Sequence, residues 1–306
     1  MRSSNGPRLA LFALSGLVVG GCSAPVVDDV VSATGSTTEA IVLVERSAAE
    51  GGVVQTNVSA KFMRLSSGAD PDLAERVVGG SWLDLPAPGE CMILAPFEAA
   101  EESSLSGLGS IELLDVGDLT IQAGSKAMPL AARAFPDLGA LVSGVFYTSR
   151  DARSDLPAPA RYVLESTGSG TLDRFAIEAE APAAPEEVRV GDVSLADGVL
   201  LEEGVGAVVH WRAGQTEARK SEADVVYVDL TNQSGTGIRC SYNDSGEGAI
   251  PASFVGGKAW GALPATATIS VHRVRQGSFT APGIDEGDLR FDLSVVGRAT
   301  LVSAAP

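Results

Sequence analysis

Apolar and polar residues alternate with a period of two along much of the chain. In 288–296, Leu289, Phe291, Leu293 and Val295 fall on one face, and Asp288, Arg290, Asp292 and Ser294 on the other. That alternation predicts a half-buried strand. Asp224 to Thr231 repeats it, with Val226, Val228 and Leu230 inward. Glu39 to Arg46 is a β-branched run, and Val53 to Arg64 is a second; the turn cluster Ala49-Glu50-Gly51-Gly52 between them predicts a hairpin. Further strands are expected over 90–95, 118–122, 142–148, 160–166 and 173–180. The best helical stretch is Asp70 to Arg76, where Asp70 can cap and Pro71 suits the first helical position. Many short strands with few helix signals predict an all-β fold of two tandem β-sandwich domains.

Ala181-Pro182-Ala183-Ala184-Pro185 interrupts the strand pattern. Two prolines among alanines mark a boundary. The expected division is a first sandwich at 39–181 and a second at 186–306, the latter able to fold alone. Asp115-Val116-Gly117-Asp118-Leu119 and Asp285-Glu286-Gly287-Asp288-Leu289 share a D-x-G-D-L pattern. A glycine turn with aspartate bonding local backbone explains it. A calcium site on Asp115 and Asp118, or on Asp285 and Asp288, is disfavoured because too few oxygen ligands are in view.

The N-terminal stretch behaves differently. Arg2 and Arg8 precede an apolar run from Leu9 to Gly20. Twelve residues fall short of the ~20 that span a bilayer as a helix. A basic start, a short apolar run and small residues match a secretory signal peptide. Val19-Gly20-Gly21-Cys22 resembles the lipobox of bacterial lipoproteins. The resemblance implies a signal peptide at 1–21, cleavage before Cys22, a lipid on Cys22 and a tether over 22–38. Because Ser23 is not aspartate, it also implies sorting to the outer membrane of the cell envelope. An ordinary signal peptide cut after Ser23-Ala24 is the blander alternative.

Charge and cysteine content narrow the partners. The formal charge of −17 becomes −19 once Arg2 and Arg8 leave with the signal segment. Such a chain repels nucleic acid and anionic headgroups, so no nucleic-acid partner is expected. The membrane, reached through the acyl anchor, and a protein or polysaccharide are the partners in view. A mean hydropathy of +0.17 argues against general disorder. Cys91 and Cys240 could pair in an oxidising compartment, but each is expected in a different domain, so two buried thiols acting as small hydrophobes are the favoured reading over a mutual disulfide. With no C-x-x-C and two histidines, no metal site and no cofactor are expected.

Several runs in the later part resemble bacterial surface proteins with immunoglobulin-like domains. They are His210-Trp211-Arg212-Ala213-Gly214, Asp224 to Val228, Ile238 to Tyr242, Gly248 to Pro251 and Phe279 to Asp285. The stretch Leu114 to Asp118, followed by Tyr162 and Phe175, is similar to the preceding domain of such proteins. The resemblance implies β-sandwiches and carries no catalytic residue. The second half holds one cysteine, so the inter-sheet disulfide of antibody domains cannot form within it.

Little in the sequence points to catalysis. Strand parity places Trp211 inward and His210 outward. It likewise places His272 outward, beside Thr268, Ser270 and Val274. G-x-S-x-G, H-E-x-x-H, S-x-x-K and P-loop motifs are absent. Adjacent acids such as Glu202-Glu203 point to opposite faces of a strand and cannot form a dyad there. Trp82 and Trp260 lie in glycine-rich surroundings, where tryptophans stack on sugars or cover the end of a sandwich. The expected function is a non-enzymatic binding or structural role of an envelope lipoprotein. The rivals are a carbohydrate-binding module using Trp82 or Trp260, and a hydrolase with an acidic site assembled from distant residues.

Overall fold

The computed structural model describes residues 35–48, 53–78, 83–94, 110–135, 141–149, 155–214, 224–256 and 260–304. Cys22, Trp82 and the signal and tether segments up to residue 34 lie outside them. The described residues are almost entirely strand, as the alternation predicts. In chain order the elements are β1 (Thr37–Ala48), β2 (Val54–Leu65), α1 (Pro71–Val77), β3 (Cys91–Leu94), β4 (Ile111–Leu113), β5 (Leu119–Ala123), β6 (Lys126–Ala134) and β7 (Val142–Thr148). Next come β8 (Ala160–Ser166), β9 (Phe175–Ala181), β10 (Arg189–Val190), β11 (Val193–Ser194), β12 (Val199–Glu202) and β13 (Ala207–His210). The chain continues with β14 (Val225–Thr231), β15 (Gly237–Asn243), β16 (Glu247–Ile250), β17 (Ala265–Ala281) and β18 (Ile284–Val302). The Asp70 carboxylate caps α1 by accepting from the Leu73 amide at 3.3 Å, and Pro71 opens the helix.

One sheet runs in the order β3-β15-β14-β17-β18-β1-β2-β4-β7-β6-β5-β8-β9, with β12 also on β18; a smaller sheet runs β11-β10-β13-β16. The large sheet folds over itself at β6, whose first half pairs β5 and whose second half pairs β7. The first apolar core lies between β1–β2 and the β5–β8–β9 layer, with Val42, Phe62, Ile121, Tyr162 and Ile177 at its centre. The second lies between β14–β15–β17–β18 and the smaller sheet, around Val209, Trp211, Val228, Ile269 and Leu301. A third cluster packs α1 through Ala74 onto the other face of β2, against Met63 and Leu65.

The β17–β18 hairpin belongs to both large cores. One edge of β18 pairs β17; its other edge pairs β1 over 286–295 and β12 over 299–302. Ile284, Leu289 and Phe291 fill the first core, and Ala299 and Leu301 the second. The proline-rich 181–185 segment is tied to this hairpin. Arg273, 1% exposed, donates to the carbonyls of Ala183 and Ala184 at 2.8 and 3.2 Å and forms an ion pair with Asp244 at 2.8 Å.

The two D-x-G-D-L stretches adopt different structures. Asp115 Oδ1 accepts from the Gly117 amide at 2.8 Å, and Gly117 has φ +79°, so this copy is a turn leading into β5. The second copy lies within β18, where Gly287 leaves room for the Phe279 ring; a Cβ there would lie 2.3 Å from it. Shared letters therefore do not mark a repeat.

Cys91 and Cys240 correct the favoured reading of two free thiols and adopt its alternative, a mutual disulfide. β3 pairs antiparallel with β15, placing the two residues opposite each other, and their sulfurs are joined. The expectation missed that β3 leaves the strands around it in sequence to edge the sheet of the second core.

Trp211 and His210 separate as parity predicts. Trp211 is 5% exposed, with its indole N–H donating to Asp244 Oδ1 at 2.7 Å, whereas the His210 side chain is 33% exposed. Trp211→Ala should cost about 3–5 kcal/mol, as for deletion of a buried large aromatic. His210→Ala should cost less than about 1 kcal/mol. Urea denaturation of both variants checks this; similar losses would mean that the faces of β13 are reversed.

Candidate functional site

The outward face of the β15–β14–β17–β18–β1 sheet is polar yet largely covered. Its centre is a chain of hydrogen bonds and ring contacts that links four strands. Arg239 on β15 forms a two-pronged pair with Asp229 on β14, at 2.8 and 2.7 Å, and lies over the Tyr227 ring. Tyr227 stacks on His272 at 4.1 Å and donates its hydroxyl to Asp292 Oδ2 at 2.6 Å. His272 Nδ1 is 2.7 Å from Asp292 Oδ1, and its Nε2 is 2.8 Å from the Ser270 hydroxyl. A neutral ring donating from Nδ1 to the carboxylate accepts from Ser270 at Nε2, and a protonated ring donates from both nitrogens.

Burial acts on these groups in opposite directions. It pushes Asp292 upward, but hydrogen bonds and charge from His272, Tyr227 and Arg290 outweigh it, and the carboxyl ends below its ordinary value. Burial, then the charge of Asp292, push the Tyr227 hydroxyl far up, so it stays a donor. The His272 side chain, expected on the solvent side, is only 17% exposed, because Tyr227 covers one ring face.

Ser270, His272 and Asp292 have the connectivity of a nucleophile, base and orienting acid. An acyl-transfer site also needs donors aimed at a developing oxyanion. Ser270 sits on a central strand, opposite Asp229 on one side and Val296 on the other. The strand amides here are committed to the ladders. Arg239 is held by Asp229, and Tyr227 donates to Asp292. Among the described residues of this network, the donors of Arg239 and Tyr227 are therefore already engaged.

Along the same face, where α1 crosses β1 and β18, a cleft of about 310 Å³ opens. Glu39 on β1 stands opposite Glu286 on β18, and Asp288 and Arg290 follow along β18. Asp72 and Glu75 enter from α1. Glu39 is 9% exposed. Burial, then the charges of Glu75, Glu286, Asp288 and Asp72, push its carboxyl up to about 7. Burial and the same neighbours raise Glu75 too, against the pull of Arg290. This cleft was not legible in the sequence, because parallel pairing of β1 with β18 joins residues far apart in the chain. The period-two pattern did place Asp288 and Arg290 on one face.

The remaining candidates fare as follows. Trp260 is 6% exposed in the second core, with its indole N–H donating to the Phe254 carbonyl at 3.4 Å. Its faces are packed, which corrects its candidacy for sugar stacking; the glycines around it had suggested an open loop. Among the described residues, no group of three or more His, Cys, Asp or Glu side chains is placed to hold a metal ion. None of their helices is long and apolar enough to cross a membrane.

No protein-family model and no curated protein matches the chain. Among solved structures it is similar to the chicken CNTN1 FN1–FN3 domains, at 14% identity over 72% of this chain and 67% of that one, with a TM-score of 0.21. It is also similar to the Fcho1 Mu homology domain of Danio rerio with bound Eps15 peptide, at 8% identity over 88% and 97%, with a TM-score of 0.23.

Because Glu39 keeps its proton to about pH 7 in the fold and loses it near 4.5 when unfolded, the native state holds the extra proton between those values. Its contribution is therefore full below pH 4.5 and is lost as pH rises to 7. Solvent in the cleft screens part of the effect, leaving about 1–2 kcal/mol. Glu39→Gln should remove that fall, so the variant gains on the parent between pH 5 and 8. Urea melts at both pH values test the sign; a constant difference would show that Glu39 titrates normally.

Proposed function

We propose that this chain is an envelope lipoprotein, held to a bilayer through acylated Cys22, whose β-sandwich ectodomain has a non-enzymatic binding or structural role. The observation that carries the compartment is the Cys91–Cys240 bond. Structural disulfides persist in oxidising compartments and are rare in the cytosol. That supports export independently of the lipobox-like Val19-Gly20-Gly21-Cys22. A bilayer anchored through lipid alone needs no membrane-crossing helix. In this reading the ectodomain comprises sandwiches at 39–181 and 186–306, with the tip of the β17–β18 hairpin lent to the first and β3 lent to the second.

Mass spectrometry of the mature protein should find an acylated N-terminal Cys22. Cys22→Ser should move the protein from the membrane to the soluble fraction, while Cys91 and Cys240 become alkylatable only after reduction. An unmodified N-terminus, or a membrane fraction unchanged by Cys22→Ser, rules the anchor out.

One observation favours a second reading, a serine hydrolase: the Ser270–His272–Asp292 chain. The commitment of Arg239 to Asp229 and of Tyr227 to Asp292 leaves neither of them aimed at a developing oxyanion, which weighs against it. A fluorophosphonate probe should leave Ser270 unlabelled in the native protein. Stoichiometric labelling lost in both Ser270→Ala and His272→Ala would reverse the ranking.

A further inference from the structure

We propose that the cleft between α1 and the β1–β18 pair is a binding site for an alkylammonium or guanidinium head on an aliphatic stem. The proposal deepens the binding role above and rests on that reading. Three features of the cleft support it.

The first is a mostly buried acid that faces the cleft. Glu39 is nine-tenths buried and lines the cleft, yet no hydrogen bond or ion pair to it occurs among the described residues. A buried carboxylate without a partner is costly and takes up a proton instead. A cation in the cleft would supply the missing partner. Acids approach Glu39 from each charged element around it: Glu286 and Asp288 from β18, and Asp72 and Glu75 from α1. The cations nearby are Arg290 on β18, which lines the cleft, Arg76 on α1, and Lys61, which stands opposite Ile41 on β2. Burial lowers Lys61 to about 8 and lowers Arg290 as well.

The second is the spacing of the acids. No three of these carboxylates are placed to hold one metal ion. Carboxylates arriving from β1, β18 and α1 suit a larger cation whose several N–H donors point in different directions. The third is the composition of the walls. Ile41, Leu43, Leu83 and Pro71 line the cleft with the acids, which fits the methylene stem of a lysine or arginine side chain or of a free diamine. At about 310 Å³ the cleft is at the small end of ligand sites.

The test is calorimetric titration of the whole purified protein with cadaverine, agmatine, an end-blocked Gly-Lys-Gly peptide and calcium chloride. Saturable binding of an amine or of the peptide is expected. Stronger binding of cadaverine would identify a free amine as the source, and stronger binding of the peptide a basic side chain. Glu39→Gln should weaken binding at least tenfold, whereas Glu178→Gln, on β9, should not. Because the cation competes with the proton on Glu39, affinity should rise about tenfold from pH 6 to pH 8 in the parent and stay flat in Glu39→Gln. Thermal melts establish that the variant is folded, and Glu75→Gln gives a second weakening from the helix side. Absence of saturable amine or peptide binding, saturation by calcium alone, or equal weakening by Glu178→Gln would each overturn the proposal. Failure here with Cys22 acylated would remove the cleft ligand and leave the anchored-protein reading standing.

Discussion

Two cores depend on the continuity of one hairpin. β17 and β18 run side by side for most of their length, and β18 continues past the end of β1 to pair β12. From Leu289 onward, period two keeps the inward residues of β18 on one side, so Phe291 enters the first core and Leu301 the second. A one-residue slip in register would turn all of them to the outer face. Arg273 adds a polar constraint at the middle of the hairpin. A guanidinium at 1% exposure must be paired, and its partners are Asp244 and the carbonyls of Ala183, Ala184 and Arg212. The stretch between the two cores is thereby held to the strand beside it.

The same hairpin presents the polar outer face. Residues alternate with the core positions, so Asp288, Arg290 and Asp292 stand in a row on β18, with Ser270 and His272 on β17 beside them. The row is satisfied in one part and unsatisfied in another. Around His272 and Asp292, nearly every donor has an acceptor, and the chain through Tyr227 and Arg239 stitches strands together. Around Glu39, five carboxylates face the cleft with Arg290 among them, and the most buried of them is unpartnered.

Much of the secondary structure was legible from local pattern. Strands at 142–148 and 160–166, the Asp70 cap with Pro71, and the inward placement of Val226, Val228, Leu230, Leu289 and Phe291 all followed from periodicity and capping chemistry. Trp211 and His210 followed from parity. Parity could not say how exposed an outward face is. His272 was expected on the solvent side and is mostly covered, because a neighbouring strand supplies an aromatic ring.

What the sequence by itself determined is the all-β class, the period-two faces, the strong negative charge, and an N-terminal stretch resembling a lipoprotein signal. Each is a local property of chain chemistry. What only the tertiary structure decided is which strands meet. Parallel pairing of β1 with β18 brings Glu39 to Glu286, and antiparallel pairing of β3 with β15 brings Cys91 to Cys240. Both join segments more than a hundred residues apart. Strand pairing is made by backbone groups that every residue carries, so the partner of a strand leaves no mark in its own side chains; it is selected by how the apolar faces of all the strands pack together.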